Sequence, residues 1–127
     1  MFVSVLAAAL VLQPVAASGP VDPDLHCMVA FSMVTQVMEK DGKLTADDRA
    51  GITGIIMYFV GKLDGRLPGY DFSGEMKRLL SDSSYMQNQF RPDVQRCGAE
   101  AKQRGDFLIE LGDELQKIAP PVTNKPG

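Results

Sequence analysis

The chain has 127 residues, 45% of them hydrophobic and 23% charged. This is the make-up of one globular domain and excludes a disordered or low-complexity protein. Its 13 basic and 16 acidic residues leave a formal charge of -3 at pH 7, the wrong sign to attract nucleic acid or an anionic membrane surface.

The first seventeen residues, MFVSVLAAALVLQPVAA, carry no charged side chain. Their apolar run from Phe2 to Leu12 is too short for a bilayer core of about 30 Å. The segment reads as a secretory signal peptide, residues 1–17. Val15 and Ala17 stand at the spacing a signal peptidase accepts, which predicts cleavage before Ser18, with cleavage before Gly19 as the alternative. A buried N-terminal helix conflicts with Pro14 and with the Ser18-Gly19-Pro20 break. The domain, 18–127, is then expected to be periplasmic or secreted, with no membrane span after cleavage. In such a compartment Cys27 and Cys97, two in number and in no CxxC, are expected to form a disulfide, two buried free thiols being the alternative.

Four helices are predicted, at about 23–40, 46–65, 72–88 and 92–119, as an all-α, four-helix bundle-like domain. In the first, Asp22 caps and Pro23 occupies the position where a missing N–H costs nothing. The run LHCMVAFSMVTQVMEK is apolar nearly all round, which suits a central helix stopped at Gly42. The following DGKLTADD resembles part of a calcium loop, with Asp41, Gly42, Leu44 and Asp48 in register. However, Val37 falls where the first ligand belongs and the terminal Glu is missing, so no metal is expected. Thr45 with Asp48 reads instead as a shortened capping box.

The second helix carries Ile52, Ile55, Ile56, Phe59, Val60 and Leu63 on one apolar stripe. Beside it runs a second stripe of Gly51, Gly54, Tyr58, Gly61 and Gly65. Gly61-Lys62 is no phosphate loop, because Leu63 stands where Ser or Thr is required and Ile56 where a Gly is. Pro68-Gly69 is a turn. The third helix places Phe72, Met76, Leu79, Leu80 and Ser83 on one face, with a break near Asp82 to Ser84 as its weak point.

The fourth helix has the longest periodic pattern. Val94, Cys97, Ala101, Arg104, Leu108, Leu111, Leu115 and Ile118 alternate steps of three and four, interrupted only by Arg104. Gly98, Gly105 and Gly112 recur every seven residues beside this seam. Two facing glycine stripes predict that the second and fourth helices pack closely and antiparallel, so that Gly61→Leu destabilises the fold. Pro120-Pro121 ends the helix, and 120–127 is a loose tail.

The chemistry-bearing residues are sparse. His26 is the single histidine, and Asp22 and Asp24 are the nearest carboxylates in sequence, so it reads as a plain surface residue. No nucleophile sits in a strand-turn-helix elbow, and paired acids fall at helix caps and solvent faces. Neither enzymatic activity nor a cofactor is expected. Met28, Met33, Met38, Met57, Met76 and Met86 fill the core or offer an adaptable binding face for a protein partner.

A small exported chain of four helices, with Cys27 near the start of the first and Cys97 in the last, resembles the periplasmic acid-stress chaperones of the HdeA-like fold. It is also similar to helical immunity proteins that neutralise amidase toxins, which often carry a Tyr-x-x-Gly segment on the second helix, here Tyr58-Phe59-Val60-Gly61. The first resemblance implies that protonation of 16 carboxylates leaves 13 basic residues unopposed and loosens the helices. The second implies that the Gly65 to Asp71 turn plugs an envelope hydrolase, with Arg66 and Tyr70, and with Tyr58 nearby, as partner-binding residues.

Overall fold

The computed structural model describes residues 19–118. The signal peptide expected at 1–17 and the tail at 120–127 lie outside the described residues. Four helices follow in order, α1 Pro23–Lys40, α2 Ala46–Arg66, α3 Phe72–Leu80 and α4 Phe90–Ile118, with a π-helical turn at Tyr85–Gln89 leading directly into α4. The fold is all-α, and Cys27 and Cys97 are joined by a disulfide.

Local chemistry explains most of the boundaries. Asp22 Oδ1 accepts from the Asp24 N–H at 2.9 Å, with Pro23 opening α1. Gly42, at φ 66°, turns the chain out of the helix in a conformation that costs a side chain-bearing residue more. At α2 the Asp48 N–H donates to Thr45 Oγ1 at 3.0 Å while the Thr45 N–H donates to Asp48 Oδ2 at 3.1 Å, a reciprocal cap. Gly69, at φ 77°, makes the turn after Pro68.

The third helix is shorter than its pattern predicts, ending at Leu80 rather than near residue 88. The Ser84 N–H and hydroxyl both donate to Asp82 Oδ1, giving the backbone a local alternative to the helix. The chain then re-enters helical geometry through the π turn, which closes with the Phe90 N–H on the Tyr85 carbonyl. Pro92 lies just beyond this widened turn and has no N–H for the carbonyl four residues back.

Helix α1 is the centre of the packing, in contact with α2, α3 and α4, while side chains of α2 also reach α4. Lys62 meets Asp24 and Arg49 meets Glu39, so α2 runs antiparallel to α1. His26 meets Asp93 and Cys27 meets Cys97, so α4 starts beside α1 and runs parallel to it. Two apolar clusters result. Leu25, Val29, Leu63, Leu79 and Tyr85 join α1, α2, α3 and the π turn, whereas Phe31 and Phe59 enclose the disulfide. The predicted Ile52 to Leu63 stripe of α2 faces this core, with Phe59 and Leu63 fully buried.

The close glycine contact is corrected by the structure. A β-carbon placed on Gly51, Gly54, Gly61, Gly65, Gly105 or Gly112 meets nothing within 4 Å, and one on Gly98 only reaches Phe31 Cζ at 3.8 Å. These glycines lie in helices with open space beside them. Gly61→Ala is therefore expected to stabilise the fold by about 0.5–1 kcal/mol, by relieving the entropy cost of glycine in a helix. Thermal melting checks this, and a lowered midpoint restores the close-contact explanation.

Candidate functional site

A continuous polar chain ties the start of α1 and the end of α2 to the middle of α4. Asp24 is 6% exposed at the start of α1. It accepts from Lys62 Nζ at 2.8 Å and from an Arg66 guanidinium N–H at 2.8 Å, both from α2. Arg66 also reaches Asp22 at 2.9 Å. Lys62 continues to Glu100 of α4 at 2.5 Å, Glu100 accepts from the Tyr58 hydroxyl at 2.9 Å, and Arg104 Nε donates to that hydroxyl at 3.2 Å. Burial alone would raise the Asp24 carboxyl, but the hydrogen bonds and charges of Lys62 and Arg66 outweigh it and hold it below the usual carboxylate range. Glu100 is lowered in the same way: burial opposes, while Lys62 and Tyr58 prevail. Lys62 is raised, its burial outweighed by Asp24 and Glu100.

This chain absorbs two of the three residues expected to meet a partner, Tyr58 and Arg66. The third, Tyr70, stands edge-on to Phe72 with ring centroids 5.2 Å apart and packs on the core. Burial raises its hydroxyl, and the charges of Glu75 and Asp22 add to the effect. All three are thus engaged within the chain. Their proximity was invisible in sequence because Asp24, Lys62 and Glu100 stand about forty residues apart, beyond any helical spacing.

His26 is also not the surface residue expected. Its Nδ1 lies 2.8 Å from Asp93 Oδ2, both side chains are mostly buried, and its ring meets Tyr85 edge-on at 5.4 Å. Asp93 Oδ1 in turn accepts from Arg96 at 3.2 Å, and Arg96 donates to the Pro23 carbonyl at 3.0 Å. The group borders a cleft of about 410 Å³ with Asn88 and Gln89 from the π turn on its rim. Val21, Pro23, Pro92 and Arg96 complete its lining, and no Ser, Thr, Cys or Lys among the described residues borders it beside the His–Asp pair. Tyr85 lies fully buried beneath it, and burial, with the Asp93 charge, pushes its hydroxyl up to about 12. Among the described residues no three His, Cys, Asp or Glu side chains gather as a metal centre requires.

The surface that stands out is the outer half of α4. Phe107, Leu108, Ile109, Leu111, Leu115 and Ile118 are between 45% and 79% exposed, although four of them continue the seam that buries Cys97. The cause is length. With 29 residues α4 runs about 44 Å, whereas the 18 residues of α1 beside it give about 27 Å. At the inner end of this face, Gly51, Gly54 and Ile55 of α2 and Ala101, Gly105 and Leu108 of α4 border a groove of about 220 Å³. Of the two glycine stripes, Gly51 and Gly54 thus face Gly105 across a gap, whereas Gly98 is turned to Phe31 of α1. The length mismatch was a readable signal, because a seam longer than any neighbouring helix must leave part of itself uncovered.

No family model, curated protein or solved structure matches the chain. No helix among the described residues is long and apolar enough to cross a membrane.

Proposed function

We propose that this chain is an exported, non-enzymatic, protein-binding helical domain that acts as an acid-stress chaperone. The observation that carries the reading is the apolar outer half of α4, where Phe107, Leu108, Leu111, Leu115 and Ile118 fall within about 100° of one another on the helix and are left uncovered by the described residues. Monomeric soluble proteins rarely leave such a surface without a partner. The disulfide supports a compartment outside the reducing cytoplasm.

The polar chain supplies the acid response. At neutral pH the Asp24 and Glu100 carboxylates hold Lys62 and Arg66 and so link α1, α2 and α4. Their folded pKa values lie below the unfolded ones. The stability they contribute is therefore complete above the unfolded values and is lost as pH falls through the lowered folded ones. Protonation then leaves 13 Lys and Arg side chains and one His unopposed, and their repulsion loosens the helices over the disulfide. Apolar surface beside α4 becomes available to unfolding substrate proteins.

Circular dichroism, a hydrophobic dye and an aggregation-prone substrate protein, followed from neutral pH to about pH 2, test this. Retained helix, rising dye fluorescence and suppressed substrate aggregation are expected. A chain that stays dye-silent and leaves aggregation unchanged in acid overturns the reading. The inhibitor alternative, a plug for one envelope hydrolase at the Gly65 to Asp71 turn, lacks free anchors, since Arg66 and Tyr70 are held internally.

A further inference from the structure

Helices α1 and α4 start side by side, run parallel and are joined near their starts by the Cys27–Cys97 bridge. Their positive dipole ends therefore fall together, beside the cleft of about 410 Å³ that borders His26. That volume lies in the range of small-molecule sites, about 300–1,000 Å³. We propose that this cleft binds a carboxylate attached to a small apolar group, through Arg96 and the carboxamides of Asn88 and Gln89.

The polar groups that border the cleft are mostly donors with capacity to spare. Arg96 Nη2 is spent on the Pro23 carbonyl at 3.0 Å and on Asp93 Oδ1 at 3.2 Å, which fixes the guanidinium. Its Nε and Nη1 have no partner among the described residues and offer N–H groups to an oxyanion. Asn88 and Gln89 stand exposed on the π turn at the rim. A carboxamide both donates and accepts, so these two can hold a carboxylate oxygen and also an N–H next to it. Tyr85 adds a further donor. It is fully buried beneath the cleft, and its hydroxyl has no hydrogen-bond partner among the described residues, a state that buried O–H groups rarely keep without an acceptor. Its ring meets His26 edge-on at 5.4 Å, and its hydroxyl feels the charges of Asp93 and Arg96, so it lies against the same wall.

Each acid at this end of the fold is already paired. Asp93 gives Oδ2 to His26 at 2.8 Å and Oδ1 to Arg96, while Asp22 and Asp24 are held by Lys62 and Arg66. Asp93 is thus a positioning residue, which aims His26 and Arg96 without itself meeting the ligand. The rest of the wall is apolar. Val21, Pro23 and Pro92 bring no side-chain donor or acceptor, and the prolyl rings are rigid, so a compact apolar group fits beside the carboxylate. A free organic acid and the C-terminal residue of a peptide share this chemistry.

The cleft lies at the opposite end of α4 from the exposed apolar face, so this assignment and the chaperone reading fail separately. Phenylacetate and N-acetyl-glycyl-leucine, each with its uncharged amide as control, are titrated into the oxidised chain at neutral pH by calorimetry and by backbone amide NMR. Resonance shifts should gather at His26, Gln89 and Arg96, with a dissociation constant of about 0.1–1 mM. The uncharged amides should bind at least about tenfold more weakly, and Arg96→Gln should weaken the acids by a similar factor. Because Arg96 also holds Asp93, a second variant avoids the fold. Asn88→Ala with Gln89→Ala alters only exposed side chains and should weaken binding about three- to tenfold, with the helical spectrum and melting midpoint unchanged. Tighter binding of the peptide assigns the site to chain ends, and tighter binding of phenylacetate assigns it to free acids. No saturable binding of either below about 10 mM overturns the proposal. So do amides that bind as tightly as the acids, acetate that binds as tightly as phenylacetate, or variants of unchanged affinity.

Discussion

Replacing Cys27 and Cys97 together by serine is expected to cost the folded state about 2–5 kcal/mol at neutral pH, the largest effect of any change considered. The bridge closes a loop with a sequence separation of 70 residues, for which the chain-entropy account gives about 4.4 kcal/mol before strain and denatured-state structure subtract from it. A small domain has about 5–15 kcal/mol in total. The bridge also joins α1 to α4, whose other links near it are surface hydrogen bonds and the His26–Asp93 pair. Both cysteines are fully buried between Phe31 and Phe59. Reductant should therefore act on the native chain only as fast as the core opens. Urea denaturation of the oxidised chain and of the serine variant measures the difference. A loss below about 1 kcal/mol would mean that α1 and α4 hold each other without the bridge.

Asp24→Asn is expected to be the second largest change, a loss of about 2–3 kcal/mol at neutral pH with a flatter response to acid. Asp24 is the buried acceptor on which Lys62 and Arg66 converge, and removing its charge leaves Lys62 with Glu100 and Arg66 with Asp22 as their remaining carboxylates. Buried pairs broken on one side lose about 3–5 kcal/mol. The lower figure applies because Lys62 and Arg66 are 31% and 49% exposed and can turn to water. The sign of the pH effect follows from the lowered pKa. The wild-type chain loses the Asp24 contribution as pH falls below about 4, whereas the variant lacks it at every pH. The two stability curves should thus converge in acid. Denaturation midpoints between pH 7 and pH 3 check this, and parallel curves would show that Asp24 acts by packing rather than by charge.

The sequence carried the helices well and their partners poorly. Asp22-Pro23, Thr45 with Asp48, Gly42 and Pro68-Gly69 act within a few residues of themselves, so their spacing alone states what they do. The apolar stripe of α2 was legible for the same reason, since helical period fixes a face before any neighbour is known. The end of α3 was half legible: Asp82 and Ser84 signalled a break, but not that the chain would resume as a π turn ahead of Pro92. The glycine stripes were misread, because a stripe of small residues has the same pattern whether another backbone lies against it or open space does.

By itself, then, the sequence determined the class, the three longer helices, the caps of α1 and α2 and the pair of cysteines available for bridging. The tertiary structure alone decided which surfaces are covered. His26 reaches Asp93 and Lys62 reaches both Asp24 and Glu100 across separations of 38 and 67 residues, distances along the chain that no local rule spans. It also decided that the seam of α4 is core as far as Cys97 and surface beyond Leu108. Periodicity gives a helix its apolar face, but only the length and position of the neighbouring helix determine how much of that face leaves water.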